Sequence, residues 1–324
     1  MPNIDHYRSD FIAYLESKEQ KKEPVNLYEP ISYILNLGGK RLRPVLTLMT
    51  TDIFGVDYKQ ALDAALAIEV FHNFSLVHDD IMDAAPLRRG KQTVHEKWDV
   101  NTGILSGDAM LIYSYQLLES YPAATFKQLM QLFSKTALEV CEGQQYDVDF
   151  ENRTDVSIPE YLLMIQYKTA VLVAAAMKMG AIIANRSSQV QQDIYDFGKN
   201  LGIAFQLQDD YLDAFGDPKS FGKQVGGDIM VNKKTYLYLK ALELGSTTQQ
   251  QELEHLFSIK PENPSEKIAT VKALYIKTGA VDQALKEIEG YTQKAFSILD
   301  QLPIDASKKE MLAQFGTSLM KREV

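Results

Sequence analysis

Two runs of one form, Asp79-Asp80-Ile81-Met82-Asp83 and Asp209-Asp210-Tyr211-Leu212-Asp213, are the residues of this chain best suited to chemistry. Each reads DDxxD and closes a long stretch with apolar residues at three- and four-residue spacing. Positions four apart share a helix face, so Asp79 with Asp83, and Asp209 with Asp213, would each set two carboxylates about one turn apart. Such pairs repel, and near a helix C-terminus the macrodipole adds to the cost, so a cation is expected there. Hard oxygen donors without His or Cys suit Mg²⁺ or Mn²⁺, which bind one or two carboxylates and complete their shell with phosphate oxygens and water. An exposed acidic helix end is the plain alternative for a single run. With 23 aspartates in 324 residues, chance gives one such run in roughly one chain of nine and two in under about one in a hundred, so the argument rests on the pair.

A metal-held diphosphate also needs cations on its outer oxygens, and the basic residues come in compact groups. Gly38-Gly39-Lys40-Arg41-Leu42-Arg43-Pro44 stops one helix with glycines and starts another, offering backbone N–H groups, Lys40 and Arg43 to an anion. Arg88-Arg89-Gly90-Lys91 follows the first aspartate run closely, and Lys223, Lys233 and Lys234 follow the second in a glycine-rich loop. Each alone reads as a solvated charge run; their repeated placement beside acidic clusters is the signal. His72 lies seven residues, close to two turns, before Asp79 and faces roughly the same side. Lys168-Thr169 falls within the apolar stretch 164–180, where an ammonium is costly unless paired. Gln206 and the run Gly143-Gln144-Gln145-Tyr146-Asp147 are polar interruptions of apolar helical stretches, equally suited to core hydrogen bonding.

The elements that must position these residues read as helices throughout. Helices are expected at about 5–20, 27–37, 42–54, 59–83, 93–119, 124–149, 159–184, 188–215, 233–244, 248–257, 265–278, 280–301 and 306–321, with no β-hairpin and no fixed-period repeat. No Pro/Ser-rich linker divides the chain, so residues 1–324 are expected to form a single domain. Lys and Arg number 34 against 43 Asp and Glu, a net charge of −9 that argues against nucleic-acid binding. The single cysteine, Cys141, excludes an intramolecular disulfide or a Cys-built zinc site. The first ten residues lack the apolar core of a signal peptide, and the best membrane-span candidate, 170–184, is short and carries Lys178. A cytoplasmic protein without a transmembrane segment is expected.

These motifs in this order resemble the trans-isoprenyl diphosphate synthases, the prenyltransferases that make farnesyl, geranylgeranyl and longer diphosphates. The resemblance rests on GGKRLRP at 38–44, LVHDDIMD at 76–83, LRRG at 87–90, GDAML at 107–111, GQ with a following Asp at 143–147, KT at 168–169, FQLQDDYLD at 205–213, GKQVGGD at 222–228 and KKTY at 233–236. It implies an all-α bundle with a deep central cavity, usually a homodimer, using three Mg²⁺ ions. By resemblance Asp79, Asp83 and Asp209 ligate the metals, with Asp80, Asp210, Asp213 and Gln144 supporting them. Arg88, Lys168, Lys223 and Lys233 match positions for the allylic diphosphate, although Lys234 is one residue from the match. Gly39, Lys40, Arg43, His72 and Arg89 match the isopentenyl diphosphate pocket, and Thr169 and Gln206 lie near the reacting carbons. Lys321-Arg322 weakly resembles a basic tail that closes over isopentenyl diphosphate.

In the family, bulky residues before the first aspartate run form a floor under the growing product. Phe74 and Phe71 stand five and eight residues before Asp79, about 7.5 and 12 Å of helical rise. Core packing is the plain reading of two Phe at this spacing. Ser75, where animal-type farnesyl synthases carry an aromatic, and the lack of two extra residues within DDIMD both depart from farnesyl patterns. A C15 to C20 product is expected, leaning to C20. A terpene cyclase would not need the second DDxxD or GGKRLRP, a squalene-type head-to-head synthase would not need the isopentenyl site, and a non-catalytic synthase subunit usually lacks one aspartate run. A plain helical scaffold leaves the paired runs unexplained.

Overall fold

The computed structural model describes residues 4–18, 22–217 and 225–320. Among the described residues its elements are helical, nearly all α, apart from one very short hairpin. They run α1 (Asp5–Lys18), α2 (Val25–Asn36), α3 (Leu42–Ile53), α4 (Leu62–Met82), β1 (Leu87–Arg88), β2 (Lys91–Gln92), α5 (Val94–Lys97), α6 (Val100–Gln116), α7 (Ala123–Asn152), α8 (Ile158–Ile165), α9 (Val171–Ile183) and α10 (Ser188–Phe215). There follow α11 (Gly227–Met230), α12 (Tyr236–Leu244), α13 (Thr247–Leu256), α14 (Ser265–Lys277), α15 (Ala280–Gln301) and α16 (Ala306–Met320). The expected all-α class is therefore observed.

The chain groups into two compact units, one formed by the N-terminal part to Ser134 with Ala175–Gln192, the other by Lys135–Ala174 with the chain from Asp193 onward. The boundaries fall inside helices rather than in linkers. In the first unit α4 packs on α3 and α6, and α2 on α6. Ala64–Ile68, Val70 and Phe71 of α4 are fully buried, so the helix carrying the first aspartate run is a core element. In the second unit the core gathers Tyr161, Ile165, Leu207, Leu237, Val271 and Tyr275.

Three local departures from the expected elements have physical causes. The helix expected at 93–119 is broken, because Trp98 leaves helical φ/ψ and Asp99 caps a new helix by accepting from Thr102 N at 2.9 Å. A hairpin appears where none was expected: Arg89 and Gly90 both have positive φ (53° and 75°), the requirement of a two-residue primed turn. The helical stretch at 158–183 widens to π geometry over Gln166–Ala170. By length and composition that stretch could cross a membrane, but 56% of its apolar window is packed inside the protein.

Candidate active site

The glycine-rich segment before α3 is left-handed at Gly38, Gly39 and Arg41 (φ 80°, 120° and 49°). This turns Arg41 inward, where it pairs with Glu69 of α4 at 2.5 Å with only 4% and 3% of the two side chains exposed, and donates to Leu35 O. Asn73 Nδ2 adds a bond to Glu69 Oε1 at 3.2 Å. Arg41 therefore anchors the loop, leaving Lys40 exposed and Arg43 in the first turn of α3. Breaking a buried pair of this kind costs about 3–5 kcal/mol, so Glu69→Gln is expected to lower unfolding free energy by that order in denaturant titration. A loss under about 1 kcal/mol, the value of an exposed pair, would show that the pair does not hold the loop.

Arg43 Nη1 lies 3.1 Å from His72 Nε2. Arginine only donates, so Nε2 accepts and the imidazole carries its proton on Nδ1. Burial, and then the fields of Arg43, Arg89, Arg88 and Arg41, push the His72 pKa well below its ordinary value. From the hairpin turn Arg89 donates to Gly38 O and its guanidinium lies against Gly39, whose φ of 120° is one that L side chains rarely adopt. Gly39, Arg43, His72 and Arg89 are thus brought together, with Lys40 on the same loop. Arg43 and Arg89 beside a neutral imidazole suit an anion, while the charges of Arg41 and Arg88 are already matched by Glu69 and Asp80.

The depressed His72 pKa also fixes a pH dependence. Below about pH 6.5 the unfolded chain takes up a proton that the folded chain refuses, so stability falls with acidification by about 1.4 kcal/mol per pH unit until the folded pKa is reached. Denaturant unfolding between pH 7.5 and 5.5 should show a steeper loss for the native protein than for His72→Gln. Equal slopes would mean that His72 titrates normally.

The first aspartate run closes α4, with Asp83 as its C-cap. Asp79 and Asp83 sit one turn apart as expected, with Asp83 exposed and Asp79 partly buried. Asp80 is 1% exposed and is clasped by Arg88 of β1, whose Nε lies 2.9 and 2.8 Å from its two oxygens and whose Nη2 lies 2.6 Å from Oδ1. The same Nη2 is 3.6 Å from Asp79 Oδ2. Asp80 thereby aims Arg88 at the aspartate end, while its neighbour Arg89 turns to the glycine loop. Further back on α4, Phe71 and Phe74 lie 5.4 Å apart, Phe71 is 5.3 Å from Phe133, and Ser75 Oγ donates to His72 O.

In the second unit Gly143 of α7 touches the π segment so closely that a Cβ would stand 2.2 Å from Lys168 N. One turn on, Asp147 Oδ2 meets Lys168 Nζ at 2.5 Å and Lys233 Nζ at 3.7 Å. The expected partner for the ammonium in the apolar stretch is this carboxylate. Lys234 differs from Lys233 in its partners: its Nζ donates to the terminal carbonyls of α7, Phe150 O at 2.9 Å and Glu151 O at 3.0 Å. Thr169 Oγ1 donates to Gln206 Oε1 at 3.2 Å, Gln206 Nε2 to Asp210 Oδ1 at 3.1 Å, and Tyr161 OH to Asp210 Oδ2. Burial, then the nearby Asp228, hold the Asp210 carboxyl above the usual carboxylate range. Asp213 Oδ2 accepts from Asp228 N at 2.9 Å and so fixes the start of α11. Asp209 and Gln144 are partly buried on α10 and α7. Lys223 and Lys321-Arg322 lie outside the described residues.

Among the described residues no three His, Cys, Asp or Glu side chains gather to hold a metal by themselves. The donor chemistry still fits Mg²⁺, which takes few carboxylates and leaves the rest of its shell to phosphate and water. Asp80, Asp210 and Asp213 are engaged by Arg88, Tyr161 and the Asp228 backbone N–H. Arg41, Glu69, Asn73 and Tyr161 were not singled out from the sequence. For Glu69 a signal existed, an acidic residue inside the apolar stretch 64–71, the same mark that exposed Lys168.

The family model described as Polyprenyl synthetase matches residues 24–275. A geranylgeranyl diphosphate synthase of Methanosarcina mazei is 36% identical over 303 residues, covering 93% of this chain and 91% of the relative. A geranylfarnesyl diphosphate synthase of Natronomonas pharaonis is 36% identical over 319 residues, covering 93% and 91%. Among solved structures, a crystal structure of a geranylgeranyl pyrophosphate synthase aligns over 100% of both chains with TM-score 0.96 and 55% identity. With this agreement in sequence and in fold, the chain belongs to the polyprenyl synthetase family of prenyltransferases.

Proposed function

We propose that this prenyltransferase condenses isopentenyl diphosphate with allylic diphosphates, dimethylallyl, geranyl and farnesyl, to a C15–C20 product, chiefly geranylgeranyl diphosphate. The observation that carries the reading is the divided use of two consecutive arginines: Arg88 is held at the aspartate run and Arg89 at the glycine loop with Arg43 and His72. Two adjacent anion positions suit two diphosphates, where a cyclase needs one. In this reading Asp79, Asp83 and Asp209 hold Mg²⁺, three ions per site with Mn²⁺ as a substitute, and Asp80, Asp210, Asp213 and Gln144 support them. Bound Mg²⁺ would stabilise the charge that develops on the departing diphosphate. Arg88, Lys168, Lys223 and Lys233 bind the allylic diphosphate; Gly39, Lys40, Arg43, His72 and Arg89 bind isopentenyl diphosphate. Thr169 and Gln206 border the reacting carbons. The allylic C–O bond ionises and diphosphate departs, the isopentenyl double bond attacks the cation, and the proton then lost passes to the departed diphosphate.

The enzyme is proposed to act as a cytoplasmic homodimer in which residues 1–324 form one catalytic domain. Val100, Ile104, Leu105 and Ile112 of α6 are 41–60% exposed, an apolar face that a second copy would cover. Incubation with Mg²⁺, isopentenyl diphosphate and each allylic diphosphate in turn is expected to give geranylgeranyl diphosphate and free diphosphate. Consumption of an allylic diphosphate without isopentenyl diphosphate would overturn the reading in favour of a cyclase. Phe74, 8% exposed and backed by Phe71, is proposed as the floor, with Ser75 beside it. Chromatography of the dephosphorylated products of Phe74→Ala should then show chains beyond C20; unchanged length would show that another side chain stops growth.

A further inference from the structure

Asp147 lies where three separately placed pieces of chain converge. It projects from α7 one turn after Gly143, whose missing side chain lets α7 touch the π segment at Tyr167 and Lys168. Lys168 comes from that segment, and Lys233 from the turn after α11. The second lysine is brought in by its neighbour, since Lys234 is tied to the end of α7 through Phe150 O and Glu151 O. Two ammoniums therefore stand within 4.0 Å of one carboxylate oxygen, Asp147 Oδ2, at 2.5 and 3.7 Å. The Asp147 side chain is 17% exposed, against 26% for Lys168 and 39% for Lys233, so the carboxylate sits beneath the two cations. Two like charges that share one oxygen repel each other, and the carboxylate between them offsets that repulsion.

We propose that Asp147 is a positioning residue that sets the spacing of Lys168 and Lys233 for the allylic diphosphate. It touches neither substrate nor metal in this scheme; it keeps both ammoniums paired before the anion arrives. The inference rests on the reading of the two lysines as allylic diphosphate ligands.

Steady-state kinetics of the full-length enzyme with Asp147→Asn, Asp147→Glu, Lys168→Gln and the double variant Asp147→Asn with Lys168→Gln test it. Asparagine should raise the allylic KM and lower kcat/KM by about 10- to 100-fold, with the isopentenyl KM and the half-saturating Mg²⁺ concentration within about twofold. Glutamate should recover part of the loss. The double variant should lose less than the sum of the two single losses, because both changes remove the Asp147–Lys168 contact while the contact to Lys233 is lost only with Asp147. Thermal melting separates folding from positioning: a lowered Tm with native kinetic constants for the folded fraction would overturn the proposal. So would additive losses in the double variant, or an isopentenyl KM that rises in step with the allylic one. If Lys168→Gln is severely impaired while Asp147→Asn is not, this inference alone fails; if Lys168→Gln is itself unimpaired, the reading beneath it fails as well.

Discussion

Asp79→Asn is expected to lower kcat/KM by about 10³-fold, the size seen when one group stabilising developing charge is removed, and to raise the half-saturating Mg²⁺ concentration. Asp79 and Asp83 share one face of the last turn of α4, while Asp80 is occupied by a bidentate arginine. Asp80→Asn should therefore act through Arg88, raising the allylic KM with a smaller change in Mg²⁺ dependence. Activity against metal concentration for both variants separates the two roles. Retention of more than half the activity by Asp79→Asn, at an unchanged Mg²⁺ requirement, would remove the metal site from the first aspartate run.

Gly143→Ala is the second change with a large expected effect, although it adds only a methyl group. Its Cβ would lie 2.2 Å from Lys168 N and 2.7 Å from Tyr167 C, and both are backbone atoms that cannot swing aside. Either α7 or the π segment must move, at about 1–3 kcal/mol or more for an overpacked contact. The displaced segment carries Lys168 and Thr169, so a shift of about 1 Å should cost about 100-fold in kcat/KM. A lower denaturant midpoint together with this loss is the expected result. Full activity in a variant of native stability would mean that the π geometry has no part in placing Lys168.

Much of the fold could be read along the chain, because helices declare themselves through local periodicity. The observed ends of α3, α10 and α15 fall within a residue of those read from apolar spacing. The break at Trp98, the hairpin at 87–92 and the π segment at 166–170 were not legible. The break restarts at a cap local to its own turn, whereas the hairpin's arginine reaches Gly38 O across the fold and the π segment lies where Gly143 approaches it most closely.

The site divides in the same way. Carboxylates one turn apart, and basic residues a few positions on, are properties of sequence spacing, so the amino-acid order by itself carries the proposed metal-and-diphosphate reading. Order along the chain says nothing about partners 20 to 90 residues away. The pairing of Arg41 with Glu69, of His72 with Arg43, of Asp147 with Lys168 and Lys233, and the different partners of Lys233 and Lys234, were decided only by tertiary structure. The physical reason is that a buried charge must be matched by whatever the packed elements bring within about 4 Å, and only the folded chain determines which residue that is.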